Sequence, residues 1–151
     1  MVLGIDISTS ITGFAVLDKD GELVYSDSID LRKRKNIFLK TEQIKEKILD
    51  IFEEFVVDKY DDDVIDHIYI EQSLHMFMRG KSSAKTLSTL TRFNGIVSWL
   101  VYELFEIEPE YVAATSARKN AGIRVPRGQK AKEVVMKFLL DNEPKFVIEY
   151  T

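Results

Sequence analysis

Apolar residues run almost without a break from Val2 to Ile7, interrupted by Gly4 and ended by Asp6, before the polar Ser8-Thr9-Ser10. A short continuous apolar run closed by turn residues predicts a central strand. Ile11 to Leu17 alternates around Gly13, and Lys19-Asp20-Gly21 is a hairpin signal leading into Leu23-Val24-Tyr25, so two further strands follow in an antiparallel meander. From Asn36 to Val57 the spacing of Ile37, Ile44, Ile48, Ile51, Phe52 and Phe55 changes to a helical period. Asp61-Asp62-Asp63 reads as a solvated turn, and Val64 to Glu71 as a fourth strand ending in a carboxylate. Ser82 or Ser83 can cap a second long helix reaching Leu104, with Leu87, Leu90, Phe93, Val97, Leu100, Val101 and Leu104 on one face. Beyond Pro109, Tyr111 to Ala114 is a short fifth strand. Thr115 or Ser116 is placed to cap a short helical turn, a loop spans Gly122 to Gly128, and a third helix runs from Gln129 to Leu140. Pro144 interrupts the chain, leaving Phe146 to Tyr150 as an apolar tail of undetermined type.

This order, βββαβαβα, predicts an α/β fold: a mixed five-stranded sheet of three antiparallel strands plus parallel strands, with helices on both faces. The first, fourth and fifth strands form its parallel centre. At 151 residues the chain is expected to be one domain over 1–151, burying about 68–70% of its unfolded surface.

Composition narrows the function. With 45% hydrophobic and 30% charged residues, 7 Gly and 3 Pro, the chain is neither disordered nor low-complexity. The absence of Cys removes disulfides, thiolate nucleophiles and Cys-ligated metal centres together. No apolar run approaches a membrane helix, and the start lacks a signal-peptide pattern, so a cytosolic protein without membrane partners is expected. The net charge of −4 hides a divided surface. Residues 72–102 carry Arg79, Lys81, Lys85 and Arg92 with no acid. Residues 111–140 carry seven basic residues against Glu133, whereas 42–66 is dense in Asp and Glu. Solvated helix faces are the plain alternative to a functional basic surface.

In open sheets of this kind reactive groups gather at strand carboxyl ends near the topological switch point, so Asp6 and Glu71 are expected to be neighbours. A carboxylate on a buried strand costs several kcal/mol unless paired or metal-bound. Two of them point to a shared cation, and all-oxygen ligation selects Mg²⁺ or Mn²⁺ over zinc. The alternative is that Asp6 caps the Ser-Thr-Ser turn and Glu71 pairs with a base.

The stretch Gly4-Ile5-Asp6-Ile7-Ser8-Thr9-Ser10-Ile11-Thr12-Gly13-Phe14-Ala15-Val16 resembles the opening strand and hairpin of RuvC-type Holliday junction resolvases, and Ile70-Glu71-Gln72 resembles their second acidic strand end. The likeness continues through Phe77, Ser83-Ala84-Lys85-Thr86-Leu87, Arg92 to Gly95, Thr115-Ser116-Ala117-Arg118-Lys119 and Gly128-Gln129-Lys130, covering residues 2 to about 140. It implies an RNase H-like fold, a homodimer, and divalent-metal cleavage of four-way DNA junctions. By position, Asp6 would bridge two metal ions and Glu71 would ligate one. Lys119 and Lys130 would contact phosphate near the site, with Lys130 counted among the catalytic residues beside the two acids. Phe77 would stack at the junction centre, flanked by Arg79, Lys81 and Lys85 as backbone contacts, and Arg118 would join the basic set. Taken singly, Phe77 is equally a buried loop anchor and each cation an ordinary surface group. The family completes its site with acids on a final helix. This chain reaches Thr151 first, and Asp141, Glu143 and Glu149 do not match that helix, so a fragment is expected, ahead of a diverged enzyme with impaired metal binding.

Two other classes compete. The Asp6 to Gly13 stretch also resembles the first phosphate loop of actin-like sugar kinases and ATPases, but no second loop of that type is present. A module that binds structured nucleic acid without cutting it would use the basic stretches alone.

Overall fold

The computed structural model of the chain describes residues 1–72 and 84–147. Phe77, Arg79, Lys81, the capping candidates Ser82 and Ser83, and the last residues of the tail lie outside that set. Five strands, β1 (Val2–Asp6), β2 (Ile11–Leu17), β3 (Leu23–Asp30), β4 (His67–Gln72) and β5 (Glu110–Ala113), form a sheet in the order β3-β2-β1-β4-β5. The pairs β1–β2 and β2–β3 are antiparallel, and β1–β4 and β4–β5 are parallel, as the element order predicts. The described helices are α1 (Ile37–Phe55), α2 (Ala84–Phe105), α3 (Ala114–Asn120) and α4 (Ala131–Asn142), with a 3-10 turn at Asp61–Asp63.

Register explains how the core forms. Leu3 pairs with Val16 on one side and Ile68 on the other, and Ile5 pairs with Phe14 and Ile70. All six side chains are buried in one cluster with Ile44, Ile48, Ile51 and Phe55 of α1 and Phe93, Val97, Leu100, Val101 and Phe105 of α2. Both long helices therefore cover the same sheet face, joined by an edge contact of Phe52 on Phe105 with ring centroids 5.3 Å apart. Because strand side chains alternate, Gly4, Asp6, Gly13 and Glu71 project from the opposite face. The Asn36 side chain starts α1 by accepting from the Leu39 amide at 3.0 Å.

Element ends depart from the sequence pattern for local reasons. β4 begins at His67 rather than Val64 because the Ile65 amide donates to the Phe55 carbonyl at the end of α1, outside the sheet. β3 runs through the polar Ser26, Asp27 and Ser28 to Asp30, as an edge strand with one ladder and a solvated side can. α3 starts at Ala114 with no side-chain cap, so neither Thr115 nor Ser116 caps it.

Thr12 is a fully buried polar residue on the core side of β2. Its hydroxyl donates to the Ser8 carbonyl at 2.8 Å and accepts from the Ser8 amide at 3.2 Å, fixing the loop that leaves β1. Thr12→Val keeps the volume but leaves both Ser8 groups without this partner. Urea unfolding is expected to show a loss of about 1–3 kcal/mol; an unchanged midpoint would mean that the loop is held by other contacts.

Candidate active site

Asp6 ends β1 opposite Gly13, and the β1–β4 register runs from Val2–His67 to Ile5–Ile70. One further step along parallel strands about 4.8 Å apart brings Asp6 beside Glu71 on the same face. The two carboxyls lie close enough to act on each other. Glu71 is pushed up to about 7, first by loss of surrounding water, then by the charge of Asp6 and by hydrogen bonding with it; Arg118 and Lys132 pull it back down. Both acids still present accessible surface. The pair is thus crowded enough to repel and open enough to be reached.

The surroundings keep it so. A Cβ built on Gly13 would meet nothing within 4 Å, leaving open space beside Asp6. The loop after Asp6 is anchored by Thr12, by the Ser10 amide donating to Ser8 Oγ at 3.1 Å, and by Lys40 Nζ donating to the Thr9 carbonyl at 2.6 Å. No group of three or more His, Cys, Asp or Glu is placed to hold a metal among the described residues. Two carboxylates nevertheless suit Mg²⁺, which takes one or two from the protein and completes its octahedron with water and substrate phosphate oxygens.

The predicted cations are brought to this end unequally. Arg118 on α3 acts on Glu71, and with Lys119 and Arg124 it lines an open hollow of about 410 Å³. Lys130 is the residue before α4; it is 82% exposed, with Nζ 3.8 Å from Glu133. Lys85 is exposed in the first turn of α2. Lys132 escaped the sequence reading as a site residue: it lies in the basic stretch 111–140, but no motif singles it out, and only its action on Glu71 from the first turn of α4 does.

The repelling acids give a pH signature. A folded pKa raised from 4.5 to about 7 means that stability declines as pH climbs between those values, because the folded state must give up a proton it holds well. Asp6→Asn removes the repelling charge. The variant is expected to melt above the wild type at pH 8 and level with it at pH 5. Screening at this accessible site limits the gain to about 1 kcal/mol, or about 2–4 °C. Equal melting curves at pH 8 would show that the acids do not repel.

A mixed sheet in this order, with acids near the adjoining ends of its first and fourth strands, has the topology of an RNase H-like α/β fold. Comparison with known proteins is consistent and more specific. No family model matches the sequence. A 62-residue segment, 39% of this chain and 33% of the relative, is 40% identical to the crossover junction endodeoxyribonuclease RuvC of Bacteroides fragilis, so the match spans about a third of that relative's length. Thermus thermophilus RuvC in complex with Holliday junction substrate superposes with a TM-score of 0.64 at 14% identity, covering 91% of this chain and 75% of that one. Another Thermus thermophilus RuvC structure gives 0.62 at 16% identity, with 99% and 84% covered. The yeast mitochondrial Holliday junction resolvase Ydc2 gives 0.52 at 14% identity, with 93% and 60% covered. The RuvC-like resemblance drawn from the sequence is borne out, and the fold is that of these resolvases. Among the described residues no helix is long and apolar enough to cross a membrane.

Proposed function

We propose that the chain is a divalent-metal-dependent endonuclease that cuts branched DNA, four-way junctions foremost, by in-line attack of water on a phosphodiester. The adjacent carboxyls of Asp6, at the end of β1, and Glu71, one residue before the end of β4, carry this reading. Asp6 and Glu71 would hold Mg²⁺ or Mn²⁺, which when bound supplies Lewis acidity and a water of lowered pKa. The protein's own residues do the rest. Arg118 and Lys132 favour the ionised form of Glu71, and Arg118, Lys119 and Lys130 offer charge to phosphate oxygens. The open space beside Gly13 admits the strand. Lys85, with Arg79 and Lys81, would contact the sugar–phosphate backbone, and Phe77 would stack on a base at the branch. We assign the protein to the cytosol as a homodimer built on α2, whose Trp99 and Tyr102 are 60% and 51% exposed.

The test is Mn²⁺-dependent nicking of a synthetic four-way junction. Binding without nicking supports a non-cleaving module, a reading favoured by the two-acid donor set. Tight nucleotide binding instead would support the kinase-like alternative. Lys119→Gln and Lys130→Gln are each expected to lower the slope of log affinity against log salt by just under one unit. An unchanged slope would return that lysine to the solvated surface.

A further inference from the structure

Between β3 and α1 the chain reads Leu31-Arg32-Lys33-Arg34-Lys35-Asn36, four consecutive cations that the site above does not use. Since β3 is antiparallel to β2 and β2 to β1, β3 and β1 finish at the same end of the sheet. The basic run therefore leaves the sheet at the end that bears Asp6. It is tied to the loop after Asp6, because the Leu31 amide donates to the Ser10 carbonyl at 2.7 Å. Two strand spacings set β3 about 10 Å from β1.

Within the run the four cations differ. Arg32 is clamped by Asp30, at 2.9 Å from Nε and 2.6 Å from the terminal nitrogen, and Arg34 Nε donates to Gln43 at 2.9 Å. Lys33 and Lys35 are exposed, and neither makes an ion pair among the described residues. The two arginines hold the shape of the segment and the two lysines point charge at solvent.

Helix electrostatics runs against this placement. A helix start favours anions and its end favours cations, by about 0.3–1 kcal/mol per charge. α1 has no acid in its first turn and no base in its last, where Glu53 and Glu54 sit, and the four cations immediately precede its start. Charges set against the dipole at both ends do not serve the helix; Asp30 offsets Arg32, and Lys33 and Lys35 gain an offsetting attraction when an external anion lies across them.

We propose that Arg32–Lys35 is a second phosphate-binding segment, which receives the sugar–phosphate backbone of the nucleic acid whose scissile phosphate lies at Asp6 and Glu71. This rests on the nuclease reading and extends the DNA path towards β3, away from the basic stretches of α2, α3 and α4. Each strand of duplex DNA carries a charge about every 3.4 Å of axis, so a backbone passing over the roughly 10 Å from β1 to β3 presents about two or three phosphates to Lys33 and Lys35.

The experiment is the salt dependence of binding to a synthetic four-way junction, comparing the full chain with the double variant Lys33→Gln/Lys35→Gln and with Lys59→Gln beyond the far end of α1. The double variant is expected to lose just under two units of slope and Lys59→Gln none. An unchanged slope in the double variant, or an equal fall in Lys59→Gln, overturns the inference while junction binding by the wild type leaves the nuclease reading standing. Absence of binding by the wild type at any salt removes both. A double variant that alters self-association in sedimentation, with its slope intact, would assign the segment to a protein contact and likewise overturn it.

Discussion

Asp6→Asn and Glu71→Gln are each expected to reduce metal-dependent junction cleavage by at least about 10³-fold, a rise in barrier of about 4 kcal/mol, while junction binding is kept or tightened. Each substitution removes half of a two-carboxylate donor set at a site where no third acid is grouped among the described residues. Each also removes negative charge from beside a phosphodiester, so affinity without metal should not fall. Single-turnover nicking in Mn²⁺ and binding in chelator separate the two effects. Cleavage within tenfold of the wild type, or weakened binding in chelator, would contradict a metal site at these residues.

Phe93→Ala is expected to cost about 3–5 kcal/mol, the usual range for emptying a fully buried aromatic position. Phe93 is 0% exposed and belongs to the cluster that includes Ile5 and Ile70, the residues immediately before Asp6 and Glu71. Against a typical total of about 5–15 kcal/mol, this loss leaves a marginal protein. The damage reaches the site because the packing of α2 against β1 and β4 holds the two strand ends in register. Urea unfolding gives the cost directly. Phe38→Ala, on α1 at 69% exposure, is the contrast: a loss within about 0.5 kcal/mol of stability is expected. Equal losses at the two positions would mean that Phe38 is buried in solution.

Much of this architecture is legible in local pattern. Gly4-Ile5-Asp6-Ile7 and the Asp20-Gly21 turn announce β1 and the hairpin, and the spacing of Ile44, Ile48, Ile51 and Phe55 announces α1, because burying one face of a strand or helix imposes its period on the sequence. The pattern fails where tertiary contacts override it. Ser26-Asp27-Ser28 look like loop residues, yet β2 supplies a ladder that keeps them in β3, where Asp27 pairs with Lys47 of α1. Thr115 and Ser116 look like caps, yet α3 begins ahead of them at the end of β5. The run Arg32–Lys35 is conspicuous as charge, but its place at the carboxyl end of the sheet follows only from the direction of β3.

By itself the sequence determined the kinds of element and their order, the class of sheet, and the two acids at strand ends, since hydrophobic period and turn chemistry act between residues a few positions apart. Only the tertiary structure decided that the charge of Asp6 helps push Glu71 up, and that Arg118 and Lys132 pull Glu71 back down. Those relations depend on which strands lie side by side and in what register. Register is set when Leu3, Ile5, Ile68 and Ile70 are buried together under α1 and α2, a packing condition that joins distant parts of the chain and leaves no mark in any short stretch of it.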